Sequence, residues 1–269
     1  MLSLRRAPGP ALSDFVERLW FLQDAPPHSY ERIVPSGTLE LVINLAENAI
    51  WIYPAGSDRP QRHSGAVVSG AYSRFFGIET RAHASMLGVH FKPGGAFPFL
   101  GVAADELADR HVDLEALWGS SARLLRERLC AAPASDERFR ILEGALRDRL
   151  NVGLRRHPVL PYLIAQLERP DVEVRELAAH LQLSHRRLIE VFRREVGMTP
   201  KLFSRIRRFE HAVARAKQGA RPGWARLAVG SGYCDQSHLI GDFVRFSGYA
   251  PLDFLRHASQ DLKEGHLYV

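Results

Sequence analysis

The chain has 269 residues, room for one large domain or two ordinary ones, and its 46% hydrophobic and 25% charged residues suit a folded, water-facing protein. No uninterrupted apolar run approaches the roughly 18 residues of a membrane-spanning helix. The first residues meet Pro8 and Pro10 before an apolar stretch long enough for a signal peptide can develop. Cys130 and Cys234 stand alone and far apart, forming neither a disulfide framework nor a metal-ligand pair, so a cytoplasmic protein without a cofactor is expected. The formal net charge of +6 is unevenly divided. Residues 1–153 carry 17 Lys and Arg against 18 Asp and Glu, a net of −1, whereas 154–269 carry 19 against 12, a net of +7. A basic half joined to a near-neutral one suggests that only the former meets a polyanion.

The first hundred residues read as β-rich. Leu12–Leu22 is either a short helix or a lead-in strand. Leu39–Leu45 and Ala49–Tyr53 alternate or run apolar, with Glu47-Asn48 as turn chemistry between them. Further short strands are expected at Gly65–Ser69, Gly77–Arg81 and Met86–Phe91, separated by Pro35–Gly37, Pro54–Gly56 and Pro93–Gly95. Many short strands so spaced suggest a small barrel or sandwich. Trp51, Tyr53 and His90 are candidates for lining a small-molecule site there, although core packing would explain them equally well.

From Val112 the period changes to helical, with Leu114, Leu117, Trp118, Leu124, Leu125 and Leu129, then Phe139, Leu142, Leu146 and Leu150. This helix pair could be a dimer surface, a connector, or simply packed on the β domain. A boundary is expected near Asn151–His157. Residues 1–111 are thus read as a β-rich, effector-sensing domain and 112–153 as a helical connector or dimerisation region. Residues 154–258 are read as an all-helical, basic domain and 259–269 as a tail. The fold class is α+β multidomain.

The helical part contains a duplication. In Val174–Gly197 and again in Trp224–Gly248, a short helix with a Leu-Ala pair is followed by a turn and a longer helix that closes on Gly. Gly-x-x-Pro follows both longer helices, as Gly197–Pro200 and Gly248–Pro251. Gly suits a left-handed helix C-cap and Pro the first turn of the next helix. Helices are expected over 158–168, 173–181, 185–195, 200–217, 224–230, 236–246 and 251–257. Ser184 and Asp235 are the expected N-caps. Each unit is a helix-turn-helix that could place one helix in a DNA major groove, and the two could read successive turns about 34 Å apart if helix 200–217 is a rigid spacer. His185, Arg186, Ile189 and Glu190 in the first unit, and Gln236, Ser237, His238 and Ile240 in the second, are the expected base contacts. Arg186 can offer a bidentate fork to guanine, Gln236 can pair with adenine and Ile240 can meet a thymine methyl. Arg187, Arg193, Arg194 and Arg245 are expected on phosphates, which fix register without reading sequence. Asp242 and Gly241, placed near the second groove face, would make that unit the weaker one electrostatically.

On Glu176–Ala178, Leu183-Ser184, Leu188, Phe192, Gly197–Pro200, Arg208, Gly232–Ser237, Phe243, Gly248 and Pro251, residues 158–257 resemble the DNA-binding domain of the AraC/XylS family of bacterial transcriptional regulators. The resemblance implies double-stranded DNA as partner, base contacts on the early exposed positions of both recognition helices, and RNA polymerase and a second copy of the chain as further partners. A basic residue is usual in the family at the positions of Glu190 and Gly241, so sequence preference does not transfer. The first half, with Pro35–Gly37, Leu39–Leu45 and Phe91–Gly95, is similar to the uncharacterised sensor domain beside such DNA-binding domains, which implies a cupin-like barrel without naming a ligand. Two other readings of that half stand beside effector sensing: a purely dimerising domain, and a metal-binding cupin enzyme drawing on His63, His83, His90 and His111. No His-x-His pair, hydrolase elbow, zinc-protease motif or phosphate loop supports an enzyme.

Overall fold

The computed structural model describes residues 2–24, 30–79, 84–152, 154–169, 172, 174–217, 223–257 and 266–268. The strands are β1 Leu2–Arg6, β2 Val16–Gln23, β3 Glu31–Ile33, β4 Glu40–Asn44, β5 Ile50–Tyr53, β6 Gln61–His63, β7 Ala66–Ser69, β8 Phe76–Ile78, β9 Ser85–Phe91, β10 His111–Asp113 and β11 His266–Tyr268. They form two antiparallel sheets, β1-β2-β9-β4-β7-β10 and β11-β3-β8-β5-β6, with no pairing between sheets among the described residues. The result is a two-sheet sandwich rather than a closed barrel.

Alternation along the strands explains the layering. On one face of the larger sheet, Leu19, Phe21, Leu41, Ile43, Leu87 and Val89 are buried in the main core. The alternate residues Trp20, Leu22, Val42, Val67 and Met86 pack with Ile50, Ile52 and Phe76 of the smaller sheet. The ambiguous stretch 12–22 resolves into a 3-10 turn at Pro10–Leu12 followed by β2. The β4–β5 turn forms, but it carries the chain from one sheet to the other instead of closing a hairpin. Fully buried Asn44 holds it: Oδ1 accepts from Ala46 N at 3.0 Å and Glu47 N at 3.1 Å, and Nδ2 donates to the Ala49 carbonyl at 2.9 Å.

The helices are α1 Phe97–Leu100, α2 Leu114–Trp118, α3 Ser120–Ala131, α4 Ser135–Val152, α5 Leu160–Leu167, α6 Val174–His180, α7 His185–Val196, α8 Pro200–Lys217, α9 Trp224–Gly230, α10 Gln236–Ser247 and α11 Pro251–His257. α3 and α4 pack on the sandwich. Leu125, Leu129, Leu142 and Leu146 enter the main core, Arg126 Nε donates to the Asn44 carbonyl at 3.0 Å, and Glu143 accepts from Gly9 N at 2.9 Å. Leu124 points outward, 52% exposed.

In the second half α8 is the spine. Phe203 meets Phe192 of α7 at 5.4 Å between ring centroids, and Phe209 meets Phe243 of α10 at 5.0 Å, Phe246 at 5.3 Å and Phe254 of α11 at 6.0 Å. The apolar core runs without a break from the sandwich into this helical array. The segment read as a tail includes β11, which pairs antiparallel with β3 at the sandwich edge.

Candidate nucleic-acid interface

Both helix-turn-helix units are built the same way. Leu177 and Ala178 of α6 share a buried cluster with Leu188 and Phe192 of α7, as do Leu227 and Ala228 of α9 with Leu239 and Phe243 of α10. The small Ala at the crossing lets the two helices approach. Each turn has one left-handed residue, Gln182 (φ 54°) and Gly232 (φ 79°), after which the chain bonds back: Leu183 N to the Ala178 carbonyl at 3.0 Å, Tyr233 N to the Ala228 carbonyl at 2.9 Å. Ser184 Oγ accepts from Arg187 N at 3.1 Å, and Asp235 Oδ1 from His238 N at 2.9 Å, capping the two recognition helices. The hydrogen bond from His238 N–H is the main reason that the Asp235 carboxyl titrates below its usual value. At the other end Gly197 (φ 87°) and Gly248 (φ 76°) are left-handed caps, with N–H donating to the Arg193 and Val244 carbonyls at 2.8 and 2.9 Å.

Of the expected base contacts, His185, Arg186, Gln236, Ser237 and His238 are exposed on the first turns of α7 and α10, and Glu190 is exposed on the second turn of α7. Ile189 is half-buried, and half-buried Ile240 packs partly on the core, which leaves less of it for a thymine methyl. Arg186 has no ion pair among the described residues, whereas Glu190 lies 3.2 Å from Arg187, so those two charges offset one another. His238 sits 3.2 Å from Asp235.

Three expectations change on contact with the geometry. Asp242 is not near the groove face. It is buried, 4% exposed, and paired with Arg205 of α8, beside Tyr233, whose phenol is held above its usual range by burial and by that carboxylate. Helical periodicity alone places position 242 a turn beyond Gln236–His238, but an inward pair with a spine arginine takes it into the core. The second unit therefore presents no acid there, only the open Gly241.

Second, Arg193 and Arg194 face the sandwich domain. Arg193 lies 3.6 Å from Asp105, and the Arg194 guanidinium is 5.8 Å from the Phe97 ring. With Leu154, Arg155, His157, Arg187, Glu190, Val191 and Glu195, Phe97 and Arg194 line a cavity of about 250 Å³ beside α7. Burial raises the Glu195 carboxyl above its ordinary value, against the His157 N–H that it accepts at 2.9 Å. Arg187, Arg193, Arg194 and Arg245 are all exposed, so the contacts with the sandwich leave Arg193 and Arg194 in part accessible.

Third, Trp51, Tyr53 and His90 do not come together. Ile50 and Ile52 occupy the inner face of β5, so Trp51 and Tyr53 project from the opposite face, where Tyr53 meets Tyr30 ring-to-ring at 5.3 Å. His90 faces the other way, inside the sandwich, 3.8 Å from Glu40. Its surroundings are what sequence reasoning missed. Strand register puts Arg18, His90, Glu40, Ser69 and His111 in one row across the larger sheet. Glu40 accepts from Trp20 Nε1 at 2.7 Å, and His111 is hydrogen-bonded to the Tyr72 hydroxyl and lies 5.7 Å from the His63 ring. Burial first, then His63, lowers the His111 pKa to about 3, leaving it neutral. The alternating polar residues of β4, β9 and β10 were the available signal, but register across five strands is not written in any one of them. His83 lies outside the described residues, and among those described no group of three His, Cys, Asp or Glu could hold a metal. No described helix is long and apolar enough to cross a membrane.

Two N-capped helices, exposed at their starts and buried behind, complete two helix-turn-helix units of matching build, the architecture of a DNA-binding domain. Residues 177–257 match the model of a helix-turn-helix domain, and residues 4–113 that of a domain of unknown function, DUF6597. The C-terminal domain is an AraC-type helix-turn-helix domain, and the chain is a DNA-binding transcriptional regulator. No curated protein matches it by sequence. Among solved structures it is similar to ToxT from Vibrio cholerae. The wild-type protein with bound unsaturated fatty acid aligns at 9% identity and a TM-score of 0.47 over 97% of each chain. An apo single-residue variant aligns at 10% identity and 0.46 over 88% of this chain and 97% of that one.

Proposed function

We propose that this regulator reads a specific duplex sequence with α7 and α10 and answers to a small-molecule effector in the sandwich domain. The carrying observation is the matched pair of caps and exposed first turns, His185–Arg186 and Gln236–His238, on the basic half of the chain. Arg186 is the leading base reader because it is exposed and has no ion pair among the described residues, and Arg187 and Arg245 are the leading phosphate contacts. For the effector, the polar row of Glu40, His90 and His111 with Tyr72 between the sheets supports a site better than Trp51 and Tyr53 do. The same reading carries cytoplasmic residence, with RNA polymerase and a second copy of the chain as partners.

Selection of bound sequences from random DNA tests the reading. Arg186→Ala should relax preference at one position by about 1–3 kcal/mol, whereas Arg245→Ala should weaken all sequences alike and reduce the salt slope by about one. Equal loss on selected and random DNA for Arg186→Ala removes its assignment as a reader. An effector would raise the melting temperature by mass action, and His90→Ala should abolish that rise.

A further inference from the structure

The two glycine turns that stand out in the first half, Pro35–Gly37 and Pro93–Gly95, both dock on the DNA-binding half. A Cβ on Gly37 would lie 2.9 Å from the Phe203 ring of α8, and one on Gly94 2.5 Å from Leu160. The two cap glycines dock in the opposite direction. A Cβ on Gly197 would lie 2.9 Å from Ala71 Cβ, and one on Gly248 2.6 Å from Phe75 and 2.7 Å from Arg32. Ala71 and Phe75 belong to a single loop, between β7 and β8, so one loop touches the C-terminal cap of both recognition helices. Arg32 completes the second contact. Its guanidinium lies 4.6 Å from the Phe75 ring and 4.2 Å from the Tyr249 ring, and Nη1 donates to the Ser247 carbonyl, at the last residue of α10, at 3.3 Å.

We infer that the sandwich domain is a template fixing the two recognition helices relative to each other, with Arg32 the positioning residue for the second. This rests on the DNA reading proposed above. Along α8 the anchors of the two heads, Phe203 for the first and Arg205 with Phe209 for the second, lie within about 9 Å of one another. Heads held so close together on the spine can still tilt about it; held also at their far, C-terminal caps, they cannot. The clamp grips the C-terminal ends and leaves the first turns of α7 and α10 exposed, so it is compatible with both heads engaging DNA. Fixed geometry turns the second contact into an intramolecular one, and its benefit disappears when spacing is wrong.

The test uses the full chain and the sequence selected from random DNA by the wild type, in three forms: as selected, with five base pairs inserted between half-sites (half a helical turn), and as the first half-site alone. Arg32→Ala should bind the single half-site within about twofold of wild type, bind the full site about tenfold more weakly, and show a smaller penalty for the insertion. Arg32→Lys keeps the charge but not the flat stack and should behave like Arg32→Ala. Should Arg32→Ala not fold, Phe75→Leu loosens the same contact and takes its place. An insertion penalty equal to wild type, or parallel losses on half and full sites, overturns the inference. A selection that enriches no sequence overturns instead the DNA reading on which it rests.

Discussion

Asp242 provides the sharpest test of how the second reading head is built. Replacing it by alanine leaves the Arg205 guanidinium facing a buried gap next to Tyr233. Removing one member of a buried ion pair costs about 3–5 kcal/mol, because the remaining charge is stranded. The Arg205 side chain is 35% exposed and can recover part of its hydration, whereas that of Asp242 is 6% exposed. The expected loss is therefore about 2–3 kcal/mol, or a melting temperature lower by roughly 4–5 °C for a chain of 269 residues unfolding as one unit. Unfolding of Asp242→Ala, Arg205→Ala and the double variant measures the pair directly, since the coupling separates it from each residue's own contacts. DNA binding below the melting range should keep the wild-type salt slope, because no phosphate contact has changed. Unchanged stability with tighter DNA binding would refute the argument, for that is how an acid on the groove face behaves.

Phe209→Ala removes the ring against which Phe243, Phe246 and Phe254 pack, and should cost about 3–5 kcal/mol, read from denaturant unfolding. Ser184→Ala deletes the α7 cap and should cost about 1 kcal/mol, with Ser184→Asp retaining most of it. His111 is lowered to about 3 in the folded chain, mainly by burial, against 6.5 unfolded. The unfolded state thus binds the extra proton between those values, and stability should fall as pH drops from about 6.5, by at most about 1.4 kcal/mol per unit. His111→Phe should flatten that slope in melting curves between pH 7 and pH 4.

Local signals were legible in the sequence and long-range ones were not. α8, α9 and α11 begin and end where Pro200, Pro251 and the apolar period placed them, because caps and helix-period stripes act within one turn. Both N-caps, both left-handed glycines and the exposed starts of α7 and α10 follow from the same local rules. β1, β3 and β6 carry too few apolar alternations to announce themselves, and Gln182 takes a left-handed turn that Gly232 advertises and glutamine hides. The orientation of Trp51 and Tyr53 depended on which face of β5 meets the other sheet. A one-residue change of face inverts every side chain, and the run Ala49–Tyr53 is apolar on both. Asp242 was misplaced, and the contacts of Arg193 and Arg194 with the sandwich went unseen, for a related reason: periodicity gives the side of a helix, not what lies against it.

The boundary expected at Asn151–His157 shows how far that reason extends. Charge and composition do change there, yet the junction is fastened to both halves. The Arg156 guanidinium lies 4.8 Å from the Phe15 ring and donates to the Asp14 carbonyl at 3.0 Å, while His157 N donates to Glu195. Beyond it, fully buried Leu160 belongs to the same apolar core as Leu87 and Phe203. A core shared in this way cannot be lost from one half without exposing the other. The full chain is therefore expected to unfold in a single calorimetric transition with equal van't Hoff and calorimetric enthalpies. Residues 154–269 alone, with Leu160, Val196 and Phe203 stripped of their partners at Gly94 and Gly37, should melt lower than the same helices in the full chain. Two resolved transitions in the full chain, one matching the isolated fragment, would show that the halves are independent modules and that the seam contributes nothing to stability.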